Sequence, residues 1–176
     1  MIRIVGSGSR AVEAAAVRAR DLGYRTHILS RKLEGEARNA GRALARVGMA
    51  VQDGVAGPAP PACILASGET TVRVTGSGLG GRNQEVALGA ALALEGRSGI
   101  VVASLGTDGV DGPTDAAGGL ADGSSVERAR AMGRSVADAL ERNDAYPVLD
   151  ALGDLVRTGV TGTNVADLMV VLVRPS

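Results

Sequence analysis

Residues 100–115 read Ile-Val-Val-Ala-Ser-Leu-Gly-Thr-Asp-Gly-Val-Asp-Gly-Pro-Thr-Asp, an apolar run that stops on a glycine and opens into a polar loop. The run Ile100 to Leu105 has the length and character of a buried strand. The loop from Gly106 to Asp115 then sets Asp108, Asp111 and Asp115 at the strand's carboxyl end, where open α/β sheets hold their ligands. Two further segments follow the same grammar. Gly-Leu-Gly-Gly-Arg-Asn-Gln-Glu (Gly78 to Glu85) leads into a helix predicted from Arg82 to Leu94, and Thr-Gly-Val-Thr-Gly-Thr-Asn (Thr158 to Asn164) precedes an apolar strand, Leu168 to Val173. Together the three loops bring backbone amides, one arginine and several carboxylates to strand ends, which suits a phosphorylated ligand and a metal.

Working outward, Ile2 to Val5 reads as a strand, Ala11 to Leu22 as an alanine-rich helix and Tyr24 to Leu29 as a strand. A second helix runs from Glu34 to Val47, with Ala37, Ala40, Leu44 and Val47 at helical spacing. Gly54 to Pro61 is rich in glycine and proline and breaks regular structure, so it reads as a linker between residues 1–53 and 62–176. Beyond it come strands from Ala62 to Ala66 and Thr70 to Thr75, the latter alternating Val72 and Val74 with polar neighbours. Asp122 is placed to cap a helix reaching Met132, and Ser135 to cap the next. The mixture of strands and helices gives an α/β class.

Composition narrows the function. The 176 residues are 45% hydrophobic, yet contain no Trp, no Phe and two Tyr, so the core is aliphatic. The 19 basic and 19 acidic residues balance, and no basic block or aromatic platform supports nucleic-acid binding. A lone cysteine, Cys63, allows no internal disulfide and fits a cytoplasmic setting. No stretch approaches the ~18 apolar residues of a membrane span. Cys63 and His27, each inside a predicted strand, read as packing or edge side chains rather than catalysts.

Arg82 stands at a helix amino end, where a cation opposes the helix dipole. Bidentate binding of a phosphate or carboxylate would account for it, as would a frayed surface end. Asp108, Asp111 and Asp115 can hold Mg²⁺ through oxygen ligands, accept the proton of an attacking hydroxyl, or form Asx-turns and a helix cap. Thr161, Gly162, Thr163 and Asn164 form either a second anion nest or a plain polar turn. Gly6-Ser7-Gly8-Ser9-Arg10-Ala11 fits the dinucleotide fingerprint after a strand, and Ser30-Arg31-Lys32 ends the next strand with charge suited to a 2′-phosphate. An NADP-linked reductase is therefore a competing reading, against a simple tight turn.

Four stretches match, in order, the motifs of a known family: Ser67-Gly68-Glu69-Thr70-Thr71-Val72, Gly80-Gly81-Arg82-Asn83-Gln84-Glu85, Gly106 to Gly118, and Thr161-Gly162-Thr163-Asn164-Val165. From about Ala62 onward the chain resembles the MOFRL domain of the glycerate kinases that phosphorylate the 2-hydroxyl. Gly6 to Arg46 resembles the end of the Rossmann-like domain that precedes it. The resemblance implies a partial Rossmann-like βαβα segment followed by an α/β MOFRL-type domain with a mixed sheet. It further implies ATP, Mg²⁺ and D-glycerate in a cleft between two domains. Arg82, Asp108 and Asp111 then become catalytic candidates. Gly80, Gly81, Asn83, Glu85, Thr107, Thr161, Gly162, Thr163 and Asn164 become contacts to substrate or phosphate, and Asp108 and Asp115 metal ligands. Members have also carried the label hydroxypyruvate reductase. Three positions depart from the pattern: Val160 and Ala166 stand where Pro and Asn are usual, and Leu79 where lysine is common. Most of the Rossmann-like domain has no counterpart here. The expectation is a kinase part that needs that half, or a non-catalytic anion-binding remnant, with exposed apolar surface favouring self-association.

Overall fold

The computed structural model describes residues 7–175; the strand expected at Ile2 to Val5 and Gly6 of the fingerprint lie outside them. Helix α1 spans Gly8–Asp21, and Ser7 caps it by accepting from the Arg10 amide at 3.3 Å. Strand β1 (Arg25–Leu33), helix α2 (Ala37–Gln52), strand β2 (Ala62–Gly68), helix α3 (Arg82–Leu94) and strand β3 (Ile100–Gly106) follow. After β3 come strand β4 (Gly118–Asp122), three short helices, α4 (Ser125–Ala131), α5 (Val136–Glu141) and α6 (Ala145–Leu152), and the two-residue strand β5 (Leu155–Val156). Strand β6 (Asp167–Val173) then inserts into the middle of the sheet.

The six strands of the described residues lie in the order β1-β2-β6-β3-β4-β5. β1 and β2 are parallel and every other pair is antiparallel, so the sheet is mixed, as expected. It runs without interruption from β1, ahead of the Gly54 to Pro61 stretch, to the strands that follow it. Alternation along β6 divides the core. Met169, Val171 and Val173 pack under α2 and α3, while Leu168, Val170 and Leu172 meet Val12, Ala16 and Ala19 of α1. A third cluster gathers α4, α5 and α6 around Ala87, Leu88 and Ala91 of α3. α3 is therefore buried nearly all round, consistent with its apolar surface.

Two expectations are corrected. Thr70 to Thr75 is not a strand: apart from one bridge between Glu36 and Thr71 it has no strand neighbour among the described residues. Its alternating side chains have no partner ladder, and Thr75 and Gly76 donate instead to the Asn143 side chain. Asp122 closes β4 and does not cap α4; Ser124 is the cap residue, and Asp122 accepts from its amide at 2.8 Å. Ser135 does cap α5, accepting from the Asp138 amide. Cys63 is buried, and burial pushes its thiol up to about 11. His27 is exposed on β1 at the sheet edge.

Candidate functional site

Register places the site. The last residue of β2, the first of β6 and the last of β3 lie side by side as Gly68, Asp167 and Gly106. All three glycine loops reach this end of the sheet. Asp167 points to the α3 side, where Arg82 opens the helix. Nε of Arg82 donates to Oδ2 at 2.6 Å and Nη2 to Oδ1 at 2.9 Å, a bidentate pair. Asp167 is 1% exposed, and the Arg82 side chain remains 30% exposed. The hydrogen bonds that Arg82 donates to Asp167 hold the guanidinium pKa above its ordinary value, with burial opposing. Glu69, largely exposed, lies 3.8 Å from Nη2. Nη1 has no hydrogen-bond partner among the described residues.

Asp111 turns inward. Its carboxylate accepts from the Asn83 amide at 3.1 Å, the Gln84 amide at 2.9 Å and Asn83 Nδ2 at 3.2 Å. It therefore supplies the amino-terminal cap that Gly81, the cap residue, has no side chain to give. Burial pushes the Asp111 carboxyl above the usual carboxylate range, and the donated hydrogen bonds pull the other way. Gln84 Nε2 continues the link to Thr114 Oγ1 at 2.9 Å, and Asn83 Oδ1 accepts from Ser104 Oγ at 2.5 Å. Asn83 and Glu85, sequence candidates for ligand contact, are both buried. Glu85 accepts from Asn143 Nδ2 at 2.7 Å and pairs with Arg38 at 3.4 Å.

The neighbouring glycines have a matching explanation. Gly78 lies against the backbone of Arg142 and Asp144, closer than any side chain would permit. The run that reads as a phosphate cradle is thus first a close approach of chain to chain. Gly80 packs beside Ala145 and under Gly112.

Asp108 turns outward. Oδ1 accepts from the Val110 amide at 3.1 Å and Oδ2 from Asn164 Nδ2 at 3.0 Å. Thr107 stitches the same two loops together: its hydroxyl donates to the Ala166 carbonyl at 2.8 Å and accepts from the Val165 amide at 2.9 Å. Thr161 donates to the Thr107 carbonyl at 2.6 Å, and its amide donates to the Asp108 carbonyl. Gly162 and Thr163 complete an exposed turn in which the Thr163 amide bonds back to Thr161 Oγ1. Asp115 belongs to a different cluster, accepting from the Tyr146 hydroxyl at 2.7 Å and from Arg157 at 3.3 Å. Tyr146 first, then Arg157, holds its carboxyl below the usual range. Among the described residues no three His, Cys, Asp or Glu side chains converge as a metal centre.

Between the 70–82 segment and the Gly112–Pro113 turn lies an open cleft of about 530 Å³. Thr70, Val72, Val74 and Pro113 line it, Glu85 and Asn143 floor it, and Arg82 stands at its wall. Two other grooves sit at the opposite end of the sheet, around Arg97 and Arg174. The fingerprint segment also reaches the candidate end, with Gly8 against Ser67 and Val165. Arg31 and Lys32, expected to suit a 2′-phosphate, pair with Glu13 and Glu34. Three residues are not among the sequence candidates, Asp167, Asn143 and Arg38, and Glu69 stands only inside the Ser67 to Val72 motif. Only Asp167 carries a local signal, an acid opening an otherwise apolar strand.

The MOFRL family profile matches residues 62–167. A D-glycerate 2-kinase of Thermotoga maritima is 44% identical over 172 residues, covering 98% of this chain and 41% of that protein. A protein named putative hydroxypyruvate reductase from Agrobacterium vitis is 44% identical, covering 98% of this chain and 40% of its own length. The crystal structure of the Thermotoga maritima glycerate kinase superposes with a TM-score of 0.96 at 44% identity, over 98% of this chain and 42% of that one. A Pyrococcus horikoshii structure superposes at 0.93 with 36% identity, over 100% of this chain and 40% of that one. The chain spans about two fifths of the length of these relatives. It belongs to the MOFRL family, and its relatives carry the names glycerate kinase and putative hydroxypyruvate reductase.

Proposed function

We propose that the chain contributes part of the phosphoryl-transfer site of a glycerate 2-kinase. The observation that carries this reading is Arg82: a guanidinium clamped on one edge by buried Asp167, with Nη1 unengaged beside a cleft at the carboxyl ends of β2 and β3. Phosphoryl transfer asks for such aimed positive charge more than for covalent chemistry.

In the reaction, the 2-hydroxyl oxygen of D-glycerate bonds to the γ-phosphorus of ATP as the bond from that phosphorus to the β,γ-bridging oxygen breaks, and ADP leaves. The hydroxyl proton passes to a carboxylate, a role that suits Asp108, partly exposed and oriented by Asn164. Arg82 stabilises charge on the transferred group. Asp111 keeps the first turn of α3, and so Arg82, in place. Kinases carry Mg²⁺ on one or two carboxylates plus phosphate oxygens and water. Asp108 offers such an oxygen donor as the alternative to the base role, because a metal-bound carboxylate accepts a proton poorly, while Asp115 is engaged with Tyr146 and Arg157. Bound there, the ion would neutralise phosphate charge.

The rest of the site comes, in this reading, from the part of the longer relatives that this chain does not span. Val74 and Val160 are 76% and 82% exposed on two loops at this end of the sheet, and would face it. The test is ADP release with D-glycerate and Mg²⁺, measured for this chain alone and joined to the amino-terminal portion of the Thermotoga maritima relative. Turnover in the joined protein that drops at least about 100-fold in Arg82→Ala is expected for loss of a transition-state contact. Turnover indifferent to Arg82 would overturn the reading.

A further inference from the structure

We propose that Asp167 is a positioning residue of this site: its carboxylate sets the plane of the Arg82 guanidinium and leaves Nη1 directed at an incoming phosphoryl group. The inference rests on the phosphoryl-transfer reading above and deepens it.

Three observations converge on Asp167. It is the first residue of β6, flanked in register by Gly68 and Gly106, so its sheet neighbours present no side chain beside it. It is 1% exposed, and a carboxylate so buried is costly unless matched by charge and hydrogen bonds. Both of its oxygens are taken by one guanidinium edge, at 2.6 and 2.9 Å. The same pair accounts for a cation at the amino end of α3, where the helix dipole disfavours one. α3 holds Arg82 by its backbone and β6 holds it by its side chain, so the planar fork has little freedom left.

The Arg82–Asp167 pair carries no net charge, so the site attracts an anion through aimed N–H donors. That distinguishes positioning from simple electrostatics. Removing the Asp167 charge should strengthen anion binding if charge alone matters, and weaken it if aim matters.

The experiment uses the 176-residue chain with tripolyphosphate in Mg²⁺-free buffer, following affinity by calorimetry and the Arg82 side-chain signals by NMR. In the wild type, the Arg82 Nε–H is expected as a slowly exchanging, downfield resonance, and tripolyphosphate should move the Nη signals more than Nε. Asp167→Asn should lose that Nε–H signature and bind tripolyphosphate about tenfold more weakly, the scale of one charge-assisted contact. Arg82→Lys keeps the charge, keeps a partner for Asp167 and loses the fork; it should weaken binding to a similar degree. It also carries the test if Asp167→Asn does not fold. Unchanged or tighter binding in folded Asp167→Asn, or wild-type affinity in Arg82→Lys, overturns the positioning role. Wild-type affinity in Arg82→Ala would instead bring down the phosphate reading itself, and this inference with it.

Discussion

The carboxylate of Asp111 occupies the space that a side chain on Gly81 would need. Gly81 has extended backbone, φ −139° and ψ 177°, which any residue can adopt, so the demand is for room alone. Gly81→Ala should evict Asp111 from the amino end of α3 and destabilise the chain by about 1–3 kcal/mol, the scale of a lost cap with local strain. Urea unfolding measures it. In an Asp111→Ala background the same change should cost much less, because the colliding group is gone. Equal costs in both backgrounds would mean that the two residues do not compete for one volume.

The same carboxylate makes a pH prediction. Burial raises the folded pKa of Asp111 above its unfolded value, so the folded chain holds this proton more tightly. Its contribution to stability is then fully present below the unfolded pKa of about 3.9 and is lost as pH rises through the folded pKa. Asp111→Asn does not titrate at this position. Wild-type stability minus that of the variant should therefore fall with rising pH from about 4 upward and then level off. A difference that grows with pH would mean that the hydrogen bonds donated by Asn83 and Gln84 outweigh burial and hold the folded pKa below the unfolded one.

These tests also mark how far the sequence could be read. α3 was legible to the residue, because a glycine run, a polar first turn and an apolar surface bound it from Arg82 to Leu94. The convergence of three glycine loops at strand ends was legible for the same reason. Strand β4 was not. Its Gly118-Gly119 start has low strand propensity, and Gly119 is needed because Leu149 and Ala87 fill the space above it. The Thr70 to Thr75 alternation promised a strand, but pattern cannot supply the missing neighbour. Nor could spacing sort the aspartates. Asp111 faces inward, Asp108 outward and Asp115 toward Tyr146, through partners far away in sequence. Asp167 lies 85 residues from Arg82, beyond the reach of any local motif.

Asn143 ties one wall of the cleft to the core. It has left-handed backbone, φ 54°, and its side chain makes four strong links. Oδ1 accepts from the amides of Thr75 and Gly76 at 2.7 and 2.8 Å, and Nδ2 donates to Glu85 at 2.7 Å and the Arg73 carbonyl at 3.1 Å. Asn143→Ala should cost about 3 kcal/mol, since buried donors and an acceptor lose their partner. Asn143→Gly restores the backbone preference but not the bonds, so it should remain well below wild type. Hydrogen exchange at Thr75 and Gly76 should accelerate in both variants. Full recovery in Asn143→Gly would reduce the residue to its backbone angle.

Ala166 offers a change in the opposite direction. It lies at φ 84°, in the left-handed region that costs an L-residue with a β-carbon about 1–2 kcal/mol. The backbone around it is held in place: its carbonyl accepts from Thr107 Oγ1 at 2.8 Å, and its amide donates to Asn164 Oδ1 at 3.3 Å. Asparagine tolerates this conformation better than alanine, and glycine adopts it freely. Ala166→Asn and Ala166→Gly should therefore each stabilise the chain, glycine by about 1 kcal/mol less the entropy it gains when unfolded. Thermal unfolding gives the sign. The loop also carries Asn164, which orients Asp108, so relieving strain here should slow exchange at the Val165 amide, bonded to Thr107 at 2.9 Å. Destabilisation by both substitutions would show that the alanine methyl contributes packing that outweighs the strain.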